Sequence, residues 1–480
     1  MEARTRLIYF VARLVPNVFG LATTAVLTRL LEPTEYGVYA LGLSITFFLT
    51  IGVFEWLGLS VLRMAPAADD PDLLIGTILT SFYSLCAVSA LAAILVLLLA
   101  GDKINAPLTI ACIMATFASA WFELKQRLQL AELRAADYLW MNSVRGLATM
   151  GLVCAAAYMS GSPPLIVIAV ALGFFLASLS VRDRRLGVLR CRLDLAMCGT
   201  LFRFGFPLSI SVGLATILMS IDKWLLQALS GPQTVGFFTA ATFVAQMPLS
   251  ALAAGIGTSA YSMAVHAVEF RSPEAARGQL ARNIVLLLGI IVPGAAGIVA
   301  LSNNLAHLMV GRAYWQSVIV LAPWLSVATI FSSVRAFYVD TAFQLAHHNS
   351  PLIWTMSITV AVNVVLDVLL IPNLGELGAA IGSCCALFLG LVVAAVASRG
   401  VFRLPIPFGD AIKIVTSSAA MFVVISHLAE YTGAVALALQ IGVGALVYVG
   451  GIIAFNVQGV RGWAIPRFTR WLRAAAGGRR

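Results

Sequence analysis

Glu32-Pro33-Thr34-Glu35-Tyr36-Gly37-Val38-Tyr39 reads in register with Gly231-Pro232-Gln233-Thr234-Val235-Gly236-Phe237-Phe238. Pro33 matches Pro232 and Gly37 matches Gly236, both at an offset of 199 residues. Self-similarity at a fixed offset is the mark of an internal repeat, and what lies between the two copies decides the architecture.

Outward from these turns the chain is almost continuously apolar. Of its 480 residues, 60% are hydrophobic and 11% charged, and mean hydropathy is +0.95. A water-soluble domain carries roughly 25% charged residues. A helix crosses the hydrocarbon core with about 20 apolar residues. Spans are predicted at 7–30, 37–60, 76–100, 106–126, 139–159, 163–181, 201–228, 236–264, 280–301, 314–338, 350–371, 376–397, 409–428 and 434–456. The gaps carry turn chemistry, as in Gly161-Ser162-Pro163-Pro164. The first apolar run outlasts a signal-peptide core and reads as a retained helix. The fold class is an all-α polytopic membrane protein of about fourteen transmembrane helices.

The offset of 199 contains six spans. Six is even, so the two copies share one orientation and form parallel repeats, an arrangement in which transporters often place substrate at the repeat interface. The predicted organisation is two six-helix lobes, 1–200 and 201–400, followed by two additional spans and a basic tail at 401–480.

Lysine and arginine set the orientation. The gap at 160–163 has neither, and 101–105 has Lys103 alone. The loop at 182–192 has Arg182, Arg184, Arg185, Arg190 and Arg192, and 265–282 holds Arg271, Arg277 and Arg282. The tail adds Arg461, Arg467, Arg470, Arg473, Arg479 and Arg480. Both termini are therefore expected in the cytoplasm. Asp69, Asp70 and Asp72 make the gap at 64–75 acidic, but acidic residues count for little in this rule. The net charge of +10 follows from these loops, so no nucleic-acid partner is expected. Cys86, Cys112, Cys154, Cys384 and Cys385 lie in apolar runs, and Cys191 and Cys198 in the basic loop. None has metal-ligand spacing with histidine, and the seven read as reduced packing residues.

Polar residues form stripes inside the spans. In span 1, Arg13, Asn17, Gly20, Thr24 and Thr28 recur at helical steps. In span 7, Ser209, Gly213, Thr216, Ser220, Lys223 and Gln227 do the same. At the repeat offset Asn17 falls on Thr216, Thr24 on Lys223 and Thr28 on Gln227. Span 5 adds Tyr138, Asn142, Arg145 and Thr149, and span 11 adds Thr355, Thr359, Asn363 and Asp367. Small polar residues also serve close helix packing. That reading explains the charges less well, because a charge at mid-membrane costs about 2.5–3.5 kcal/mol on insertion scales and tends to face a water-filled cavity. Arg13, Arg145 and Lys223 are the candidate substrate-binding cations, with Asn17, Thr24, Thr216, Ser220, Asn142 and Asn363 as candidate cavity-lining residues. Arg29, Arg203, Arg312 and Arg335 are nearer span ends, where snorkelling explains them as well. Glu123 and Arg127 stand four apart and are expected to pair. Glu55, Asp222 and Asp367 are candidate carboxylates, for ion coupling or for structural hydrogen bonds.

Catalytic chemistry is missing from the sequence. Asp70-Pro71-Asp72 matches a D-x-D pattern but reads as an acidic turn capping span 3. There is no P-loop and no nucleophile elbow, and nothing near His347-His348 completes a metal site. No cofactor, no metal and no enzyme activity are expected.

The stretch Leu27-Thr28-Arg29-Leu30-Leu31-Glu32-Pro33-Thr34-Glu35-Tyr36-Gly37-Val38-Tyr39 resembles the first-hairpin signature of bacterial polysaccharide flippases. These are Wzx-type members of the multidrug/oligosaccharidyl-lipid/polysaccharide exporter superfamily. Phe204-Gly205-Phe206-Pro207-Leu208 and Ile221-Asp222-Lys223-Trp224-Leu225-Leu226 resemble its span 7. Gly311, Tyr314 and Leu321 resemble the start of its span 10, and Ile371-Pro372, Gly375 and Gly378-Ala379-Ala380 its span 11–12 turn. The resemblance covers residues 5–400 and implies a two-lobed, V-shaped fold in the bacterial cytoplasmic membrane. It implies a cationic cavity and alternating access. The implied substrate is an undecaprenyl-pyrophosphate-linked oligosaccharide, moved for O-antigen, capsule or exopolysaccharide assembly, with membrane lipid and polysaccharide polymerase machinery as partners. A multidrug or cation antiporter of the same fold and a peptidoglycan lipid-precursor flippase are the alternatives.

Overall fold

The computed structural model describes residues 2–67, 70–101, 105–182, 194–270, 273–346, 350–402, 404–405, 407–428 and 431–461. Lys103, Asp69, Arg271, Cys191, His347-His348, the tail beyond Arg461, and Arg184, Arg185, Arg190 and Arg192 lie outside the described residues.

Fourteen helices stand at the predicted spans: α1 (Glu2–Leu30), α2 (Pro33–Met64), α3 (Pro71–Ala100), α4 (Ala106–Ala131), α5 (Ala135–Ser160), α6 (Pro163–Leu179), α7 (Leu195–Ser230), α8 (Pro232–Ala245 with Met247–Phe270), α9 (Pro273–Ala300), α10 (Arg312–Leu345), α11 (Ser350–Leu374), α12 (Glu376–Ser398), α13 (Phe408–Leu428) and α14 (Ala434–Ala454). Ten of them are both long and apolar enough to cross a membrane, and α8 makes an eleventh, bent by 44° at its break. α6, at 17 residues, is apolar but shorter than these.

The turns form because their residues suit helix starts. Pro33, Pro71 and Pro163 each occupy the first turn of a helix, where the missing N–H costs nothing. The amide of Glu32 donates to Glu35 Oε2 at 3.2 Å, half of a capping box. Asp70 Oδ1 accepts from the amides of Asp72 and Leu73 at 3.1 and 3.0 Å, so the acidic turn does cap α3. Asp194 does the same for α7. That helix begins two turns before 201, so Cys198 sits in a helix and not in the loop.

The chain divides into two compact units. One comprises Met1–Ala240, Val310–Tyr314 and Met356–Ser383, and the other Ala241–Met309, Trp315–Thr355 and Cys384–Arg480. The core of the first includes Phe54, Trp56, Leu57, Ile78, Phe82, Leu124 and Leu201. That of the second includes Leu280, Ile284, Leu287, Tyr338 and Phe343. In the second unit the α13–α14 hairpin is clasped by hydrogen bonds. Asn304 Nδ2 donates to Gln440 Oε1 at 2.9 Å, the Gly433 amide donates to Asn304 Oδ1 at 2.9 Å, and Tyr448 donates to the Gly289 carbonyl at 2.7 Å. On α3, by contrast, Leu91, Ile94, Leu95, Leu98 and Leu99 are exposed, a surface suited to lipid and not to water.

Inside the first unit the two copies of the repeat meet at the turns that reveal them. A Cβ on Gly37 would lie 1.8 Å from the Pro232 carbonyl oxygen, and one on Gly236 would lie 2.0 Å from that of Pro33. The contact is reciprocal, as a twofold relation between parallel repeats requires. Gly311 closes on it: its amide donates to Thr28 Oγ1 at 3.2 Å, and Tyr314 donates to the Leu31 carbonyl at 3.1 Å. The rings of Tyr36 and Phe237 both set their edges against Tyr314.

Candidate functional site

Most of the intramembrane hydroxyls serve their own helices. Thr28 donates to the Thr24 carbonyl at 2.9 Å and Thr216 to that of Val212 at 3.0 Å, the satisfaction that a medium without water demands. Thr24 and Ser220 are buried, while Asn17 is exposed. Arg13 lies on α1, and its side chain is outside the described residues.

Arg145, on α5, is held between two aromatic rings of the first unit. Its guanidinium carbon stands 5.2 Å from the centroid of Phe122 (α4) and 5.4 Å from that of Phe174 (α6). Cation–π contact offsets part of the desolvation of a guanidinium without neutralising it. Among the described residues Arg145 has no hydrogen bond and no ion pair. Asn142, one turn earlier, is buried and fully engaged: it donates to the Tyr138 carbonyl at 2.8 Å and accepts from Gln126 at 2.9 Å.

On α7 the adjacent Asp222 and Lys223 have different fates. Asp222 is buried, and its Oδ1 accepts from Asn363 Nδ2 at 3.1 Å and its Oδ2 from Ser383 Oγ at 2.6 Å. Asp367 (α11) stands beside it. Asp367 is fully buried, and both of its carboxyl oxygens lack a hydrogen-bond partner among the described residues, as does Asn363 Oδ1. The space for this second carboxylate comes from Gly382 on α12, where a Cβ would fall 2.5 Å from Asp367 Oδ1. Lys223 makes no hydrogen bond and no ion pair among the described residues. Its neighbour Trp224 donates to Ser44 Oγ at 3.0 Å, tying α7 to α2.

The structure thus brings together Asp222, Asn363 and Asp367, three residues predicted separately, and adds Ser383. Serine on an apolar helix carries no signal of this role. Around these two carboxylates buried acceptors thus outnumber donors among the described residues.

Two expectations are corrected. Arg127 does not pair with Glu123 on its own helix; it reaches across to Glu55 on α2, with which it forms an ion pair. A turn earlier on α2 the helix widens into a π-turn at Thr50–Phe54, which re-aims the residues that follow it. Arg335 does not snorkel. It is buried in the second unit in a π-turn at Arg335–Val339, with Nε 3.8 Å from Asp340 Oδ1 and Nη2 donating to Thr355 Oγ1 at 3.2 Å. Arg29, Arg203 and Arg312 are exposed, as residues at span ends should be.

Solved structures share this fold, among them a flippase and two transporters. A lipid II flippase MurJ in an inward closed conformation matches at a TM-score of 0.76 and 14% identity, over 94% of this chain and 100% of the other. An inward-facing multidrug resistance MATE family transporter matches at 0.62 and 15%, over 81% and 97%. A transporter of the MOP superfamily from Pyrococcus furiosus, reported with a binding pocket of reversed polarity, matches at 0.59 and 16%, over 83% and 94%. The chain therefore has the all-α fold of these multi-pass membrane flippases and transporters. The polysaccharide biosynthesis protein family matches residues 3–262, more than half of the chain, and the chain belongs to it. No curated protein sequence matches.

Proposed function

We propose that the chain moves an undecaprenyl-pyrophosphate-linked oligosaccharide from the cytoplasmic to the outer leaflet of a bacterial cytoplasmic membrane. The product would serve assembly of a surface polysaccharide such as O-antigen, capsule or exopolysaccharide. The observation that carries this reading is Arg145 and Lys223: two cations inside the helices of one unit, neither with a hydrogen bond or an ion pair among the described residues. Glu123 lies within electrostatic reach of Arg145 and Asp222 of Lys223, but a cation in an apolar interior without a directly bonded partner is costly, and an anionic substrate would offset that cost. Membership of the polysaccharide biosynthesis family supports the glycan.

In this mechanism the pyrophosphate binds Arg13 and Arg145 on the cytoplasmic side, and Lys223 receives it nearer the exit. The glycan lies along Asn17, Thr24, Thr216 and Ser220, while Asn142 and Asn363 brace the walls. The polyprenyl tail stays in lipid. Access alternates between the lobes 1–200 and 201–400, with 401–480 supplying two further spans and both termini in the cytoplasm. One elementary charge crossing 100 mV is worth about 2.3 kcal/mol, so two negative charges leaving an inside-negative cell gain about 4–5 kcal/mol. Asp222 and Asp367 couple this movement to a proton or Na+.

The same carboxylate pair favours a second reading, a cation antiporter of the MATE kind, and the fold likeness to lipid II flippase MurJ keeps a lipid-precursor substrate beside the oligosaccharide. A strain lacking the gene separates them. Mass spectrometry of its lipid extract is expected to show accumulated polyprenyl-pyrophosphate oligosaccharide of the surface-polysaccharide type. An unchanged lipid extract together with sensitivity to organic cations would contradict the proposal.

A further inference from the structure

The charged groups of α2 and α4 are absorbed by none of the steps above. Glu55 and Arg127 form their ion pair with very different exposure: the glutamate side chain is 5% exposed and the arginine 28%. Glu123 lies one turn before Arg127 and within electrostatic reach of Glu55, Arg127 and Arg145. It makes no hydrogen bond and no ion pair among the described residues. Glu55, Glu123, Arg127, Gly58, Phe54 and Phe82 surround a cavity of about 10 Å³, the size of one water molecule. The other cation of α4, Lys125, is committed to the carbonyls of Ser178 and Val181 at the end of α6.

From this geometry we infer that Arg127 is a further ligand for the diphosphate of the substrate, and that Glu55 is the internal anion that holds its place. The inference rests on the flippase reading. A carboxylate buried opposite a partly exposed guanidinium gains little net free energy, because desolvation cancels most of the Coulomb attraction. A diphosphate brings more charge and more acceptor oxygens than one carboxylate, and guanidinium binds it in a bidentate manner. It therefore displaces Glu55. Arg127 ends α4 at the face predicted to be cytoplasmic, where such a substrate loads. Gly58 makes room for the exchange, since a Cβ there would already touch Arg127 Cγ at 3.3 Å.

The test is a binding titration of farnesyl diphosphate, with farnesyl monophosphate alongside, to the full chain in lipid nanodiscs. Glu55→Gln frees Arg127 while keeping the side-chain shape, and is expected to tighten diphosphate binding by about tenfold, the scale of one charge-assisted hydrogen bond. A residue with a merely structural role would not tighten binding when altered. Arg127→Gln is expected to weaken binding by a similar factor. The double variant Glu55→Gln/Arg127→Gln removes both members of the ion pair, so it leaves neither of them as a lone buried charge where Arg127→Gln alone would, and it is expected to bind as weakly as Arg127→Gln. If the parent binds the diphosphate but Glu55→Gln leaves the Kd unchanged, or the double variant binds as tightly as the parent, the role of Arg127 is overturned and the flippase reading stands. If the folded parent binds no diphosphate, both fall.

Discussion

Gly37→Ala and Gly236→Ala are each expected to destabilise the protein by about 3 kcal/mol or more, at or beyond the upper end of overpacking costs. The atoms that a new methyl group would strike are the carbonyl oxygens of Pro232 and Pro33, at 1.8 and 2.0 Å. Both are backbone atoms at the start of a helix, next to a rigid ring, and cannot rotate away as a side chain would. Relief requires the starts of α2 and α8 to separate, and that would loosen the Tyr36–Tyr314–Phe237 ring cluster packed there. Gly213→Ala is the control. It lies on α7 with open space around its Cβ position, and it is expected to be neutral or stabilising by up to about 1 kcal/mol, since alanine is the better helix former. Thermal unfolding in detergent, followed by loss of the monodisperse peak, measures all three. Equal melting temperatures for Gly37→Ala and Gly213→Ala would show that the repeats do not cross at these turns.

The buried carboxylates should respond in opposite directions. Asp222→Ala removes the acceptor for both Asn363 and Ser383. A buried donor left unsatisfied costs about 1–3 kcal/mol, so the loss is expected to approach about 3 kcal/mol. Asp367→Asn is expected to preserve or raise stability, because its carboxyl oxygens have no donors among the described residues and the new amide can donate to Asp222. The same substitution should abolish any dependence of transport on a proton or Na+ gradient. Stability is read from thermal unfolding, and coupling from substrate movement with and without an imposed gradient. If Asp367→Asn transports with its gradient dependence intact, the pair is structural.

Much of this was legible in the chain because the membrane restricts what a sequence can do. With no water to satisfy the backbone, long apolar runs have one spanning solution in this composition, so the helix positions follow from hydropathy. The repeat was legible because Pro33/Gly37 and Pro232/Gly236 serve a backbone contact that tolerates no side chain. The turn carrying Asp70 was legible because capping is local. Pairing across helices was not. Spacing of four suggested Glu123 with Arg127, whereas the π-turn at Thr50–Phe54 turns Glu55 toward Arg127. Arg335 sat close to a predicted span end, yet its π-turn folds it inward. Ser383 could not be singled out at all, since nothing in a run of apolar residues marks which serine meets a carboxylate from another helix.

The central claim is that interior cations carry an anionic lipid-linked glycan. Its most direct test is reconstitution of the purified chain into liposomes with a labelled undecaprenyl-pyrophosphate oligosaccharide, scoring its arrival in the opposite leaflet. The parent is expected to move it, and Arg145→Ala and Lys223→Ala, reconstituted to the same level, to move it at least about tenfold more slowly, the scale of one lost charge-assisted contact. Variants that flip the substrate as fast as the parent, or a parent that moves organic cations and leaves the glycolipid where it was, would contradict the account.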